Sequence, residues 1–182
     1  MQLAVIQACA KNDRKAQRQV FEAYGKRLFA IAYRYLGERM AAEDMVAESF
    51  TKIFAHVQQA HFENLAAFEA WIKRITINES LTWLRKNQKI QWVALESIDL
   101  PIQVDMDPSD WSLQELLQLI NQLPVGYRTV MNLFALEGYS HQEIAAMMDI
   151  SEGTSKSQLS KARVLLKNKM NQLKEHEYQS NI

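Results

Sequence analysis

An all-α protein of two small helical domains joined by a flexible linker is what this sequence predicts, and three observations carry the prediction. Five glycines and three prolines among 182 residues leave long uninterrupted stretches. Apolar side chains in those stretches recur every three or four residues, the period of a helix, with little sign of the alternation that marks strands. Between the stretches lies 91–110, which holds Pro101 and Pro108, no basic residue and no sustained helical period, the pattern of a linker. The resulting map is a helical domain at 1–90, the linker at 91–110, a second helical domain at 111–175 and a tail at 176–182. With 48% hydrophobic residues the chain can build cores, and it shows neither an internal repeat nor a low-complexity tract.

The N-terminal domain reads as three helices. Over 15–36, Val20, Tyr24, Leu28, Ile31 and Tyr35 line one side, and Gly37 is placed to stop the helix. Over 38–57, Val46, Phe50, Ile53 and Val57 form an apolar stripe facing the core, with Asp44, Ala47, Glu48 and Thr51 almost opposite. After a loop at 58–64 a long helix runs over 65–89. Its apolar residues fall on two sides, Phe68, Trp71, Ile72 and Ile75 on one and Ile77, Leu81 and Leu84 on the other. Between them runs a polar stripe of Arg74, Asn78, Thr82 and Arg85, with Lys86 and Lys89 nearby. Such a stripe is either a solvated face or a track for a nucleic-acid strand.

In the C-terminal domain, Leu113, Leu116, Leu117, Ile120 and Leu123 make an amphipathic helix capped by Asp107-Pro108 or by Ser112. Pro124 suits the first turn of the next helix, which ends near Gly138 with Val130, Met131, Phe134 and Leu136 available for its core. Ser140 and Glu143 then have the spacing of a capping box. Ile144, Ala145 and Met148 share one face, Asp149 occupies a reversal that favours positive φ, and Ser151 caps a second helix. In that helix Ser155, Leu159, Ala162 and Leu166 share a face, while Lys156, Ser157, Ser160 and Lys161 point elsewhere. Two short helices with a polar, basic outer face form a helix-turn-helix, which reads DNA in the major groove, or an ordinary helical hairpin with a solvated face.

Composition excludes several classes of function. The formal net charge is zero, yet 91–115 carries only acidic charges, whereas 152–174 carries six basic residues against Glu152. No apolar run approaches the roughly 18 to 20 residues of a membrane span, and no signal pattern begins the chain, so a cytoplasmic protein is expected. Cys9 is the one cysteine, so it can form neither an internal disulfide nor a cysteine metal cluster, and packing is its expected role. There is no phosphate-binding Gly-Lys loop, no His-Glu-x-x-His and no nucleophile paired with a base. We therefore expect no catalytic residues, no metal and no cofactor, with His141 and Glu143 belonging to a helix cap.

Three segments together resemble the RNA polymerase sigma factors of the extracytoplasmic-function (ECF) subfamily of the sigma-70 family. AAEDMVAESFTKIFAHV at 41–57 is similar to the acidic region 2 helix. FEAWIKRITINESLTWLRK at 68–86 resembles the Phe, Trp, Arg-Ile and Asn pattern ending in Leu-Arg. LPVGYRTVMNLFALEGYSHQEIAAMMDISEGTSKSQLSKAR at 123–163 resembles region 4. The resemblance covers almost the whole chain, in the family's order. It implies an initiation factor that binds core RNA polymerase, at the clamp of the largest subunit and the flap of the second, and directs it to promoter DNA.

Carried over residue by residue, the resemblance places core docking on Asp44, Ala47 and Glu48. It places minus-ten recognition and melting on the loop at 58–65 with Phe62 and Asn64, and on Arg74, Asn78, Thr82, Arg85 and Lys86. It implies minus-thirty-five contacts from Thr154, Lys156, Ser157, Gln158, Ser160, Lys161 and Arg163, and Arg128 either holds phosphate or pairs locally. Phe68, Trp71 and Trp83 can stack on bases, although core packing suits the first two better. The resemblance also implies an anti-sigma partner, possible in membrane-linked form. The chain departs from the family pattern at Ser155 (commonly valine), Gln158 (arginine), Asp149 (glycine), Ala41 (an acid), Ala47 (glutamine) and Thr82 (aspartate). Gln158 points to adenine rather than guanine. The alternative reading is a free-standing helix-turn-helix regulator with an N-terminal sensing or dimerisation domain.

Overall fold

Local chemistry sets the ends of several helices, and packing of apolar faces does the rest. A computed structural model describes residues 1–87 and 111–180 and divides the chain into two compact units after Lys89. The expected linker at 91–110, the Asp107-Pro108 cap and Lys89 lie outside the described residues.

Unit 1 holds α1 (Leu3–Ala10), α2 (Arg14–Leu36), α3 (Arg39–His56) and α4 (Leu65–Asn87). The expectation of three helices is corrected by α1, which packs on α2 and buries Ile6 and Cys9. It has eight residues and no side-chain cap, so its period is too short to stand out. Burial, then the nearby Asp13, pushes the Cys9 thiol up to about 11, so the group stays protonated and acts as a small apolar side chain.

Asp13 begins α2: its Oδ1 accepts the backbone N–H groups of Lys15 at 2.7 Å and Ala16 at 3.2 Å, offsetting donors a helix start leaves open. Gly37 ends the helix at φ 72, donating to the Tyr33 carbonyl at 2.8 Å. Val20, Tyr24, Leu28, Ile31 and Tyr35 are buried, as are Val46, Phe50, Ile53 and Val57 opposite them. Asn64 opens α4 by accepting the Ala67 N–H at 2.9 Å.

The helices α2, α3 and α4 all pack on one another. Phe68, Ile72, Ile77, Leu81 and Leu84 of α4 are buried, while Trp71 and Ile75 are half-buried. The hydroxyls of Ser49, Thr76 and Ser80, fully buried, donate back to the carbonyls of Met45, Ile72 and Thr76, which satisfies these three groups within their own helices. Glu69 accepts from Arg27 at 2.8 Å and from the Tyr24 hydroxyl at 3.1 Å, tying α4 to α2.

Unit 2 holds α5 (Leu113–Asn121), α6 (Val125–Met131), a π-helical turn (Asn132–Leu136), α7 (His141–Met148) and α8 (Glu152–Ser180). A capping box at Ser112 and Glu115 opens α5, so Ser112 is the cap. Pro124 precedes α6 as its N-cap. The helix then widens, with the Glu137 N–H bonding the Asn132 carbonyl at 3.0 Å, and stops at Gly138, φ 78. The α-helices α5, α6 and α7 all pack on α8. Helix α8 continues to Ser180, so residues 176–180 of the expected tail are helical. Among the described residues no helix is long and apolar enough to cross a membrane.

Ile77→Ala removes a fully buried side chain and should destabilise unit 1 by about 2–5 kcal/mol, read from the denaturant midpoint. Glu69 provides a pH test. The Arg27 hydrogen bond, with a smaller effect from Tyr24, holds its carboxyl below the usual range. The stability it adds is present above the ordinary carboxylate range and disappears as pH falls through the lowered value. The stability gap between the protein and Glu69→Gln, measured in urea, should therefore close on acidification.

Candidate nucleic-acid and polymerase interface

On α3 the buried stripe turns Asp44, Ala47 and Glu48 outward, and all three are exposed. Glu48 also edges a groove of about 260 Å³ between α3 and α4, lined by Met45, Lys52, Glu79, Thr82, Trp83 and Lys86. An ion pair of Lys52 and Glu79 at 2.7 Å crosses it. Trp83 is half-buried there, so part of its ring is accessible.

The polar stripe of α4 faces outward as its spacing requires. Arg74, Asn78, Arg85 and Lys86 are exposed and Thr82 is half-buried, with Arg85 donating to the Thr82 hydroxyl at 3.1 Å. The loop residues sit differently. Phe62 is half-buried with its ring 5.2 Å from those of both Phe68 and Trp71. Asn64 is exposed, but its carbonyl oxygen is committed to the α4 cap. A depression of about 80 Å³ beside this loop is walled by Leu3, Ile6, Gln7 and Ala10 of α1 together with Val57, Ala60, His61 and Phe62. These α1 walls have no place in the sequence reading; the three-residue apolar spacing of Ile6 and Cys9 was the available signal.

In unit 2 the helix-turn-helix is built as its capping residues dictate. Ser140 and Glu143 close the capping box, with Ser140 N–H to the Glu143 carboxylate at 2.8 Å and Glu143 N–H to the Ser140 hydroxyl at 3.2 Å. Asp149 takes φ 55, ψ 51, a left-handed conformation that turns the chain. The Ser151 hydroxyl accepts the Thr154 N–H at 2.9 Å and opens α8. Ile144, Met148, Leu159 and Ala162 are buried between the two helices.

On the outer side of α8, Lys156, Ser157, Ser160 and Arg163 are exposed and Thr154 and Lys161 are half-buried. Lys156 pairs with Glu152 at 2.7 Å, an exposed contact that a phosphate can displace at small cost. The guanidinium of Arg163 lies 5.8 Å from the centre of the Phe134 ring. Gln158 is 5% exposed and lies at the edge of the inner face beside Ala162, more buried than the sequence reading expects of a base contact. Arg128 is buried and donates to the Asn121 carbonyl at 2.8 Å, closing the end of α5, which favours the local pairing.

Two family models match the chain: Sigma-70 region 2 over residues 20–90 and Sigma-70, region 4 over residues 113–166, together more than half of it. The chain belongs to the ECF sigma factors of the sigma-70 family. It is similar to the ECF RNA polymerase sigma-E factor of Haemophilus influenzae, at 28% identity over 93% of this chain and 95% of that one. It is also similar to the ECF RNA polymerase sigma factor SigE of Mycolicibacterium smegmatis, at 31% identity over 82% of this chain and 59% of that one. Among solved structures it resembles the sigma factor RpoE of Bartonella quintana in complex with the anti-sigma factor NepR. That match has a TM-score of 0.51 and 26% identity, over 85% of this chain and 96% of the other. This sigma factor thus has its region 2 match on unit 1 and its region 4 match almost wholly on α5–α8.

Asp149→Ala should cost this sigma factor about 1–2 kcal/mol, because alanine loses the local bonding that eases the left-handed backbone. Asp149→Gly should be neutral or stabilising. Thermal unfolding followed by circular dichroism distinguishes the two.

Proposed function

We propose that this sigma factor binds core RNA polymerase, addresses it to promoters at two DNA elements and promotes melting at one of them. The carrying observation is that α3, α4 and α8 are each packed on their apolar sides and turn outward a face of the chemistry its task needs. Acidic Asp44 and Glu48 flank Ala47 on α3 as the core-docking patch. Arg74, Asn78, Thr82, Arg85 and Lys86 on α4 follow a strand of the minus-ten element, where cations meet phosphate and Asn78 meets base edges. The loop at 58–64, with Phe62 and the depression it shares with α1, receives an unpaired base, and its contacts offset the few kcal/mol that unstacking costs.

On α8, Thr154, Lys156, Ser157, Ser160, Lys161 and Arg163 meet the minus-thirty-five element in the major groove. The protein catalyses no reaction; its contribution is binding energy delivered at the right place. It acts in the cytoplasm, where polymerase and promoter are. An anti-sigma factor holds it inactive, a proposal supported by the solved relative bound to such a partner; a membrane-linked inhibitor would connect it to events at the envelope.

Purified protein added to core polymerase should produce start-site-specific transcription from a promoter library. Failure to bind core would defeat the reading, and protection of an operator by the chain alone would favour a free-standing regulator. Asp44→Lys with Glu48→Lys should weaken core binding about tenfold or more while leaving the circular-dichroism melt unchanged. Lys156→Ala with Lys161→Ala should lower minus-thirty-five-dependent initiation and reduce the salt slope of promoter binding by about 2.

A further inference from the structure

Ser155 is a polar residue on the buried face of the recognition helix. Its relative exposure is 0%, and Ile144, Met148, Leu159 and Ala162 are buried between the same two helices. A hydroxyl in such a place is costly unless it is bonded. Its partner lies fourteen residues back at the start of α7, where His141 Nδ1 stands 2.9 Å from Ser155 Oγ. The imidazole is itself held, for its ring stacks on Phe134 of the π-helical turn at 4.7 Å between centres and 22° between planes. Arg163, on the outer side of α8, lies against the same Phe134 ring. Four side chains thus link the π-helical turn, α7 and α8.

Apolar contact alone holds two helices together but tolerates small rotations, whereas a hydrogen bond fixes a direction. For side chains about 5–6 Å from a helix axis, a rotation of about 10° moves the tips about 1 Å. That is enough to break hydrogen bonds to base edges. A serine hydroxyl both donates and accepts, so this bond forms with either imidazole tautomer.

We propose that His141 and Ser155 are positioning residues for promoter recognition. Their hydrogen bond, backed by the Phe134 stack, sets the rotation of α8 and thereby which bases of the minus-thirty-five element it selects. The proposal rests on the reading that α8 meets that element.

The test uses full-length protein with core polymerase, on promoters that share a minus-ten element and carry an intact, scrambled or randomised minus-thirty-five element. Asparagine places a polar atom near the position of Nδ1, and glutamine places one near Nε2. His141→Gln and Ser155→Val should each lower the intact-to-scrambled initiation ratio by about fivefold, the scale of one hydrogen bond, and change the sequences selected from the randomised set. His141→Asn should stay within about twofold of the unmodified protein, and the Gln/Val double variant should be no worse than either single one, as expected for residues acting through one bond. Core binding and the helical circular-dichroism signal at the assay temperature should be the same in all variants, which a loss of folding in either unit would not give. If Ser155→Val does not fold, Ser155→Ala takes its place. Unchanged selectivity in His141→Gln and the Ser155 variant would overturn the proposal, as would a loss in His141→Asn equal to that in His141→Gln. If the unmodified protein binds core but is indifferent to the minus-thirty-five sequence, the reading of α8 fails and takes the proposal with it.

Discussion

Burial of α4 against both α2 and α3 is the contact on which unit 1 depends. Phe68 and Ile72 occupy one side of that helix, and Ile77, Leu81 and Leu84 another. A helix has only so much circumference, so two buried sides leave one strip for polar groups, and Arg74, Asn78, Thr82 and Arg85 occupy it. The strip cannot be moved without moving the core. The same reasoning fixes α3, whose buried stripe forces Asp44 and Glu48 outward, and α8, whose inner residues decide which side chains remain outside. Each surface assigned to a partner is therefore the reverse side of a packed face.

This coupling explains how the protein can specialise without losing its fold. The outward groups are mostly exposed, and their mutual contacts, such as Lys156 with Glu152, contribute little to stability. On the proposed reading, substituting them changes recognition at small thermodynamic cost. The inward groups behave oppositely. Gln158 marks the boundary: it lies at the edge of the buried face and is 5% exposed.

Much of this was legible in the sequence because it is set by near neighbours. The periodicity of α2, α3 and α4, the capping box of Ser140 with Glu143, the left-handed Asp149 and the Ser151 cap all depend on residues within a turn or two. What escaped depends on longer reach or finer phase. Helix α1 is held by α2 rather than by its own pattern, so its walls beside the loop at 58–64 were invisible. The inward turn of Gln158 is a matter of angle, and spacing alone gives angles poorly. The bond from Arg128 to Asn121 spans a loop between two helices. No residue type announces the widened turn after α6, because it is a change of backbone partner.

That widened turn has a consequence at the level of the gene. A π-helical turn differs from an α-helix by accommodating one extra residue, and each residue of an α-helix accounts for about 100° of rotation. Loss of a single codon within Asn132–Leu136 could leave a regular helix of ordinary composition, while rotating everything that follows relative to α6. Phe134 would then face a new direction. Most substitutions in this short stretch alter a contact; a change in its length would turn α7 and α8 relative to α6 and break the packing among them.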